Sequence, residues 1–88
     1  MSRTYEGPLV LTRKKGERTY IIRENEEPIC VKIERIRGDR VRIGIHADED
    51  CLILREEVLE KNDKDIYDAI SRGDIVNSEM YDNLRMRR

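Results

Sequence analysis

The basic residues of this chain form local clusters with the chemistry of phosphate binding. Four cations surround one turn, four arginines flank a second turn, and one arginine follows an apolar run: Arg13, Lys14, Lys15 and Arg18; Arg35, Arg37, Arg40 and Arg42; and Arg55. Each phosphate neutralised by such a group adds affinity for a nucleic acid through counterion release. Any single arginine has a simpler explanation, which is solvation of a strand end or protection of a sheet edge against pairing. Sequence alone does not establish that these arginines converge.

Residues that could support catalysis or metal binding are sparse. His46 is the only histidine and has no evident partner to orient it as a base. The run Asp48-Glu49-Asp50 lacks the glycine and distal glutamate of a calcium loop. Cys30 and Cys51 are isolated, whereas a zinc site needs about four ligands. We therefore expect no enzyme, no catalytic residue, no metal and no cofactor, and we expect both cysteines to be small buried residues in a reducing compartment.

Length and composition limit the core. The chain has 88 residues, which allows one domain, and it contains neither Phe nor Trp. Charged residues make up 42%, yet the net charge is only −1, so any basic site must be local. A core built from Ile, Leu, Val and a few Tyr is marginal at this size, which favours an oligomer. The sequence has neither a signal peptide nor an apolar run long enough for a bilayer, so we expect a cytoplasmic protein with no membrane partner.

Short apolar and β-branched runs predict five strands. They lie at residues 9–14, 19–22, 29–33, 41–45 and 51–54. Gly38-Asp39 separates the third and fourth runs and has the composition of a two-residue hairpin turn. The first and fifth runs are apolar without alternation, a pattern typical of strands covered on both faces. Because one small sheet has little to cover them with, we expect a second copy of the chain to do so.

The sequence after the fifth strand changes to a helical pattern. One helix is predicted around residues 55–61, and Asp63 is a candidate N-cap for a second. A break at Gly73 and a cap at Asn77 or Ser78 predict a third short helix. We therefore expect a flexible leader at residues 1–8, a β-rich domain at 9–60 and a helical extension at 61–88.

Three segments of the chain resemble, in order and spacing, the carbon storage regulator (CsrA/RsmA) family. They are Leu9-Val10-Leu11-Thr12-Arg13-Lys14 with Gly16-Glu17, Gly38-Asp39-Arg40-Val41-Arg42-Ile43-Gly44-Ile45 with Ala47, and Ile53-Leu54-Arg55-Glu56-Glu57-Val58. The resemblance covers about residues 9 to 60, with a few extra residues in the loop around 23–28. It implies a mainly β fold, a five-stranded intertwined homodimer with a C-terminal helix, to which this chain adds a helical tail.

The resemblance also implies a function and a site. Members bind mRNA leaders at single-stranded GGA sequences, usually in hairpin loops, and so control translation or mRNA stability. The first strand of one subunit lies beside the fifth strand of the other, which gives two equivalent sites in each dimer. Carried over position by position, the RNA-binding residues are Leu11, Thr12, Arg13 and Lys14 from one chain and Ala47, Cys51, Ile53, Leu54 and Arg55 from its partner. Such a surface reads splayed bases with main-chain groups and aliphatic side chains, and phosphates with its cations.

Several features depart from the family pattern. Asp48-Glu49-Asp50 follows Ala47, where the family has proline and then a basic or neutral residue, and Leu54 replaces a histidine. Three carboxylates near the phosphate path would repel RNA. The alternative function is therefore a protein-interaction module on the same fold, with weak or no RNA binding, whose protein partner binds the acidic loop or the C-terminal tail. A small β-barrel unrelated to this family is a further alternative.

Overall fold

The structure, a computed structural model, describes residues 9–86. Five strands precede three helices, as the sequence predicts. The strands are β1 (Leu9–Lys14), β2 (Arg18–Ile22), β3 (Ile29–Lys32), β4 (Arg40–Ile45) and β5 (Leu52–Arg55), and the helices are α1 (Glu56–Asn62), α2 (Lys64–Ser71) and α3 (Ser78–Met86). Within this part of the chain, no helix is long and apolar enough to span a bilayer. The predicted leader at residues 1–8 lies outside the described residues.

The strands form two antiparallel sheets. One contains only β1 and β4, in a register that runs from Leu9 opposite Ile45 to Lys14 opposite Arg40. The other has the order β3-β2-β5, with Tyr20 of β2 lying between Cys30 and Leu54.

The predicted hairpin at Gly38-Asp39 is wrong, because β3 and β4 lie in different sheets. Gly38 does adopt the left-handed conformation of a turn glycine, with a φ of 88°. The residue directly after β3, Ile33, nevertheless bonds to the turn between β1 and β2. Ile33 donates its N–H to Glu17 O at 3.1 Å and accepts the N–H of Gly16 at 2.7 Å. β4 is paired with β1, so residues 33–39 connect two sheets instead of two neighbouring strands.

The main hydrophobic core lies between one face of the β3-β2-β5 sheet and the three helices. Its buried members are Tyr20, Ile22, Leu52, Leu59, Ile70, Val76, Tyr81 and Leu84. Half of these belong to the tail beyond residue 61, so α2 and α3 are part of the core. The chain's own helices therefore cover a face of β5, where the sequence led us to expect a second copy.

Burial along β1 alternates within one chain, so its outer face is left open to the second copy that the sequence predicts. Leu11 and Arg13 are buried, whereas Val10, Thr12 and Lys14 are exposed, and Val10 retains 44% of its accessible surface. Within one chain, β1 is thus covered on a single face. Cys30 is also exposed, contrary to expectation, because β3 lies at the edge of its sheet, while Cys51 is half-buried.

Specific backbone contacts fix the helical tail. Gly73, with a φ of 86°, ends α2 in a Schellman motif, in which Gly73 N–H donates to Ile70 O and Asp74 N–H donates to Ala69 O. Asn77 Oδ1 accepts the Met80 N–H at 2.9 Å and so caps α3, which decides between the two predicted caps. Asp63 precedes α2 as predicted, but its side chain makes no capping hydrogen bond.

The tail is also tied to the loop between β2 and β3. Val76 accepts the Asn25 N–H at 2.6 Å and donates its own N–H to Glu26 O at 3.0 Å. This short bridge lies next to the core, in which Val76 is fully buried.

The position of α3 in the core can be tested with two substitutions on that helix. Leu84→Ala should lower the free energy of unfolding by about 2–5 kcal/mol, because Leu84 is only 3% exposed and truncation leaves a cavity. Met86→Ala is the matched control, since Met86 is 81% exposed and should change stability by about 0.5 kcal/mol or less. Chemical denaturation followed by circular dichroism measures both. Equal effects of the two substitutions would show that α3 does not pack on the core.

Candidate nucleic-acid interface

Arg13 joins the two sheets. The alternation of β1 turns its side chain inward, where it is 2% exposed. Its guanidinium makes a bidentate pair with Glu57, with Nη1 2.7 Å from Oε2 and Nη2 2.8 Å from Oε1. Nη2 also donates to the carbonyl oxygen of Arg18 at 2.7 Å. One side chain of β1 therefore bonds to the first turn of α1 and to the first residue of β2.

The same contact sets the electrostatics of the first turn of α1. The hydrogen bond from Arg13 lowers the pKa of Glu57 from its ordinary value of 4.5 to about 2, although partial burial opposes the shift. The charge of Arg55 contributes to this lowering, so Arg55 also lies within electrostatic range of Glu57. Of the predicted site residues, Arg13 thus binds Glu57 directly, whereas Arg55 acts on the same carboxylate through its charge.

The neighbouring carboxylate links this region to the tail. Glu56 Oε2 accepts a hydrogen bond from the Tyr67 hydroxyl at 2.9 Å and lies 3.4 Å from Arg18 Nη1. The bond to Glu56 raises the pKa of Tyr67 to about 12. In the sequence, Glu56 and Glu57 fall within the helix predicted around residues 55–61, and the predicted site does not include them. Because they directly follow Arg55 at the predicted end of the fifth strand, the sequence could have indicated ion pairs at this point.

The remaining predicted site residues differ in exposure. Thr12 and Lys14 are exposed on the outer face of β1, and Arg55 is exposed at the end of β5. Leu11 and Ile53 are buried, and Ala47, Cys51 and Leu54 are partly buried. Within residues 9–86, no hydrogen-bonded register joins β1 to β5, because the two strands belong to different sheets.

β1 and β5 each retain an open edge. In its sheet β1 is bonded only to β4, and in the other sheet β5 is bonded only to β2. No other strand of the described chain occupies the second edge of either. These edges can therefore accept further strands by main-chain hydrogen bonding.

The acidic loop is held against α3. The Tyr81 hydroxyl donates to the carbonyl oxygen of Asp50 at 2.7 Å. Two of the loop's acidic residues line a cleft that also contains two arginines; the lining residues are Arg23, Glu24, Asp48, Asp50, Cys51, Tyr81 and Arg85. Asp48 and Asp50 thus share a cleft with one arginine of the β2–β3 loop and one of α3.

Comparison with known proteins shows the family of the chain. The CsrA global regulator protein family matches residues 9–64, which is more than half of the chain. The chain belongs to this family. The match covers all five strands and α1, including every predicted site residue. The helices α2 and α3 extend beyond it almost entirely.

Curated relatives agree with this assignment. A protein of Halothermothrix orenii, named translational regulator CsrA, is 37% identical over 71 residues, covering 81% of this chain and 83% of the relative. A protein of the same name from Rhodopirellula baltica is 39% identical over 74 residues, covering 84% and 83%. Another from Hydrogenovibrio crunogenus is 45% identical over 56 residues, covering 64% and 74%. No solved structure gives a significant match to the chain.

The names of these CsrA relatives describe regulators and not enzymes. Between residues 9 and 86, the structure contains no group of three or more His, Cys, Asp or Glu side chains that could hold a metal ion.

The Arg13–Glu57 pair predicts a pH-dependent contribution to stability. Because the pKa of Glu57 is lowered on folding, its contribution is present above about pH 4.5 and is lost as the pH falls towards about 2. At neutral pH, Glu57→Gln should lower the free energy of unfolding by about 1 kcal/mol, a modest value because the Glu57 side chain is half exposed. Urea denaturation at several pH values measures this. The difference between the two proteins should vanish near pH 2, and a difference that stays constant with pH would contradict this assignment.

Proposed function

We propose that this protein is a post-transcriptional regulator that binds GGA-containing mRNA leaders as an intertwined homodimer and so controls translation or mRNA stability. Membership of the CsrA family supports this proposal, and the curated relatives are named translational regulators. The three segments that carry the family resemblance lie on β1, β4 and β5 with the start of α1, which are the elements around the candidate interface.

The observation that carries the proposal is the pair of open edges on β1 and β5. In the proposed dimer, β1 of one subunit lies beside β5 of the other, so that the two-stranded sheet of one chain continues into the three-stranded sheet of its partner. A twofold axis repeats this seam and gives two equivalent RNA sites. Val10, on the exposed face of β1, would be partly covered by a neighbouring strand at this edge. An mRNA leader with two correctly spaced motifs would then gain avidity.

Each predicted site residue has a role in this arrangement. The exposed Thr12, Lys14 and Arg55 are available to backbone phosphates and base edges. Main-chain groups along the seam would read unpaired bases, as is common in recognition of single-stranded RNA. The partly buried Ala47, Cys51 and Leu54 would form the support on which the bases pack. The buried Leu11 and Ile53 would contribute main-chain groups. Arg13, the ninth predicted residue, bonds to Glu57 at the start of α1.

Binding to a short RNA hairpin tests the function. The protein should bind a GGA loop at least about tenfold more tightly than a scrambled loop, a ratio equivalent to about 1.4 kcal/mol. Arg55→Ala should reduce this affinity about tenfold or more, because a charge-assisted contact is lost, and should leave the dimer intact. Fluorescence anisotropy measures affinity, and light scattering measures the mass of the species.

Arg72→Ala is the matched control, because Arg72 is an exposed arginine of the tail that pairs with Asp74 and lies outside the proposed site. It should leave the affinity for the GGA loop unchanged. A dimer without preference for GGA would contradict the proposed function, and a single folded chain in solution would contradict the composite site.

A protein-interaction module on the same fold is the second candidate. The observation that favours it is the acidic loop, which α3 holds in place through the bond from Tyr81 to the Asp50 carbonyl oxygen. In this alternative a protein partner binds the loop or the tail, and RNA binding is weak or absent.

Replacing Asp48, Glu49 and Asp50 together with Ser separates the two functions. If the protein binds RNA through the seam, removal of three carboxylates should raise the affinity for the GGA loop about threefold or more, and the gain should be larger at about 50 mM than at about 200 mM salt. The substitution preserves the bond from Tyr81, because Asp50 accepts it with its main-chain oxygen. An unchanged RNA affinity would favour the interaction module.

A further inference from the structure

The guanidinium of Arg13 has almost no bonding capacity left for RNA. An arginine carries five N–H donors. Both hydrogens of Nη2 are used, one by Glu57 Oε1 and one by the Arg18 carbonyl oxygen. Nη1 donates to Glu57 Oε2 and also lies 3.7 Å from Glu17 Oε1. Nε is buried and finds no partner among the described residues.

A phosphate could reach Arg13 only by displacing this bidentate carboxylate. The displacement would leave Glu57 negatively charged and unpaired next to the incoming RNA, which is a costly exchange for a pair with one buried partner. Arg55 is in the opposite situation. Its side chain is exposed, and it forms no ion pair with any other residue between 9 and 86.

Removal of Arg13 would change the surroundings of Arg55. Glu57 follows Arg55 by two residues, and its charge already interacts with Arg55. Without Arg13, the Glu57 carboxylate would lose its partner, and its charge, which already acts on Arg55, would compete with a phosphate for the Arg55 guanidinium.

We propose that Arg13 is a positioning residue that affects RNA binding through Glu57: it neutralises and holds this carboxylate, so that Arg55 remains available to a phosphate. This inference rests on the proposed function, and it assigns to Arg13 a different role from the direct RNA contact that the family resemblance implies. Glu57 thereby becomes part of the site, although it touches no RNA.

Three variants test the inference: Arg13→Met, Glu57→Gln and the double substitution. Methionine fills much of the buried space of the arginine stem without a charge. Arg13→Met should weaken binding to the GGA loop about tenfold, because Glu57 then competes for Arg55. The double variant should bind within about threefold of the wild type, because the competing charge is removed.

The number of phosphate contacts gives a second measurement. A residue that neutralises one phosphate of a single strand contributes about 0.7 to the slope of log affinity against log salt concentration. The double variant should retain the wild-type slope, because Arg13 neutralises no phosphate. Arg55→Met should reduce the slope by about 0.7 and serves as the reference for a true phosphate contact.

Glu56→Gln provides the matched control for charge. Glu56 is the adjacent carboxylate and pairs with Arg18 instead of Arg13. In the Arg13→Met background, Glu56→Gln removes the same charge but should not restore binding. Restoration by Glu56→Gln to the same extent as by Glu57→Gln would overturn the proposal, because it would reduce the effect to general electrostatics.

The decisive comparison is the double variant against Glu57→Gln alone. Equal affinities support the inference, whereas a further tenfold loss would overturn it and make Arg13 a direct contact. This comparison also applies if Arg13→Met alone does not fold, which circular dichroism reveals. Wild-type protein without GGA preference contradicts the proposed function; preserved GGA preference without rescue contradicts only the role of Glu57.

Discussion

The bidentate pair between Arg13 and Glu57 is the contact on which the arrangement of the two sheets depends. It connects β1 to α1, and the bond to the Arg18 carbonyl oxygen connects β1 to β2. Such a pair gives modest net stability, since desolvation of the arginine offsets part of the attraction to Glu57. The pair matters more for holding the elements in place, because separating the two side chains would leave each charge uncompensated. Because α1 follows β5 directly, the pair ties β1 to the end of β5.

The helical tail compensates for a sequence that lacks Phe and Trp. Ile70, Val76, Tyr81 and Leu84 supply half of the buried core, so the β3-β2-β5 sheet is covered on one face without help from another chain. This weakens the sequence argument that non-alternating strands require a second copy, at least for β5. The structural support for a dimer lies instead at β1, with its exposed outer face and open edge.

Local signals in the sequence were sufficient for the strands and the helices, because each depends on residues close in the chain. They limited the cap of α3 to Asn77 or Ser78, and the structure selects Asn77. Local signals were not sufficient to predict which strands pair with each other. Gly38 identifies a turn, but only the tertiary competition between β1 and β3 for β4 decides whether that turn joins a hairpin. The inward direction of Arg13 was predictable, since it shares the face of Leu9 and Leu11 in a strand of period two. Its partner Glu57, 44 residues away, was not.

The charge pattern around α1 explains how a chain with a net charge of −1 can present a local cationic site. Arg13 is matched by Glu57, and Arg18 is matched by Glu56, which also accepts the Tyr67 hydroxyl. In these pairs, the buried Arg13 holds β1 against α1 and the half-buried Arg18 holds β2 against α1. The exposed Lys14 and Arg55 are left uncompensated beside these pairs, because neither forms a side-chain ion pair with another residue in the described range 9–86. What an RNA backbone would meet is thus set by which cations are left unpaired, and the overall charge of the protein is a poor guide to it.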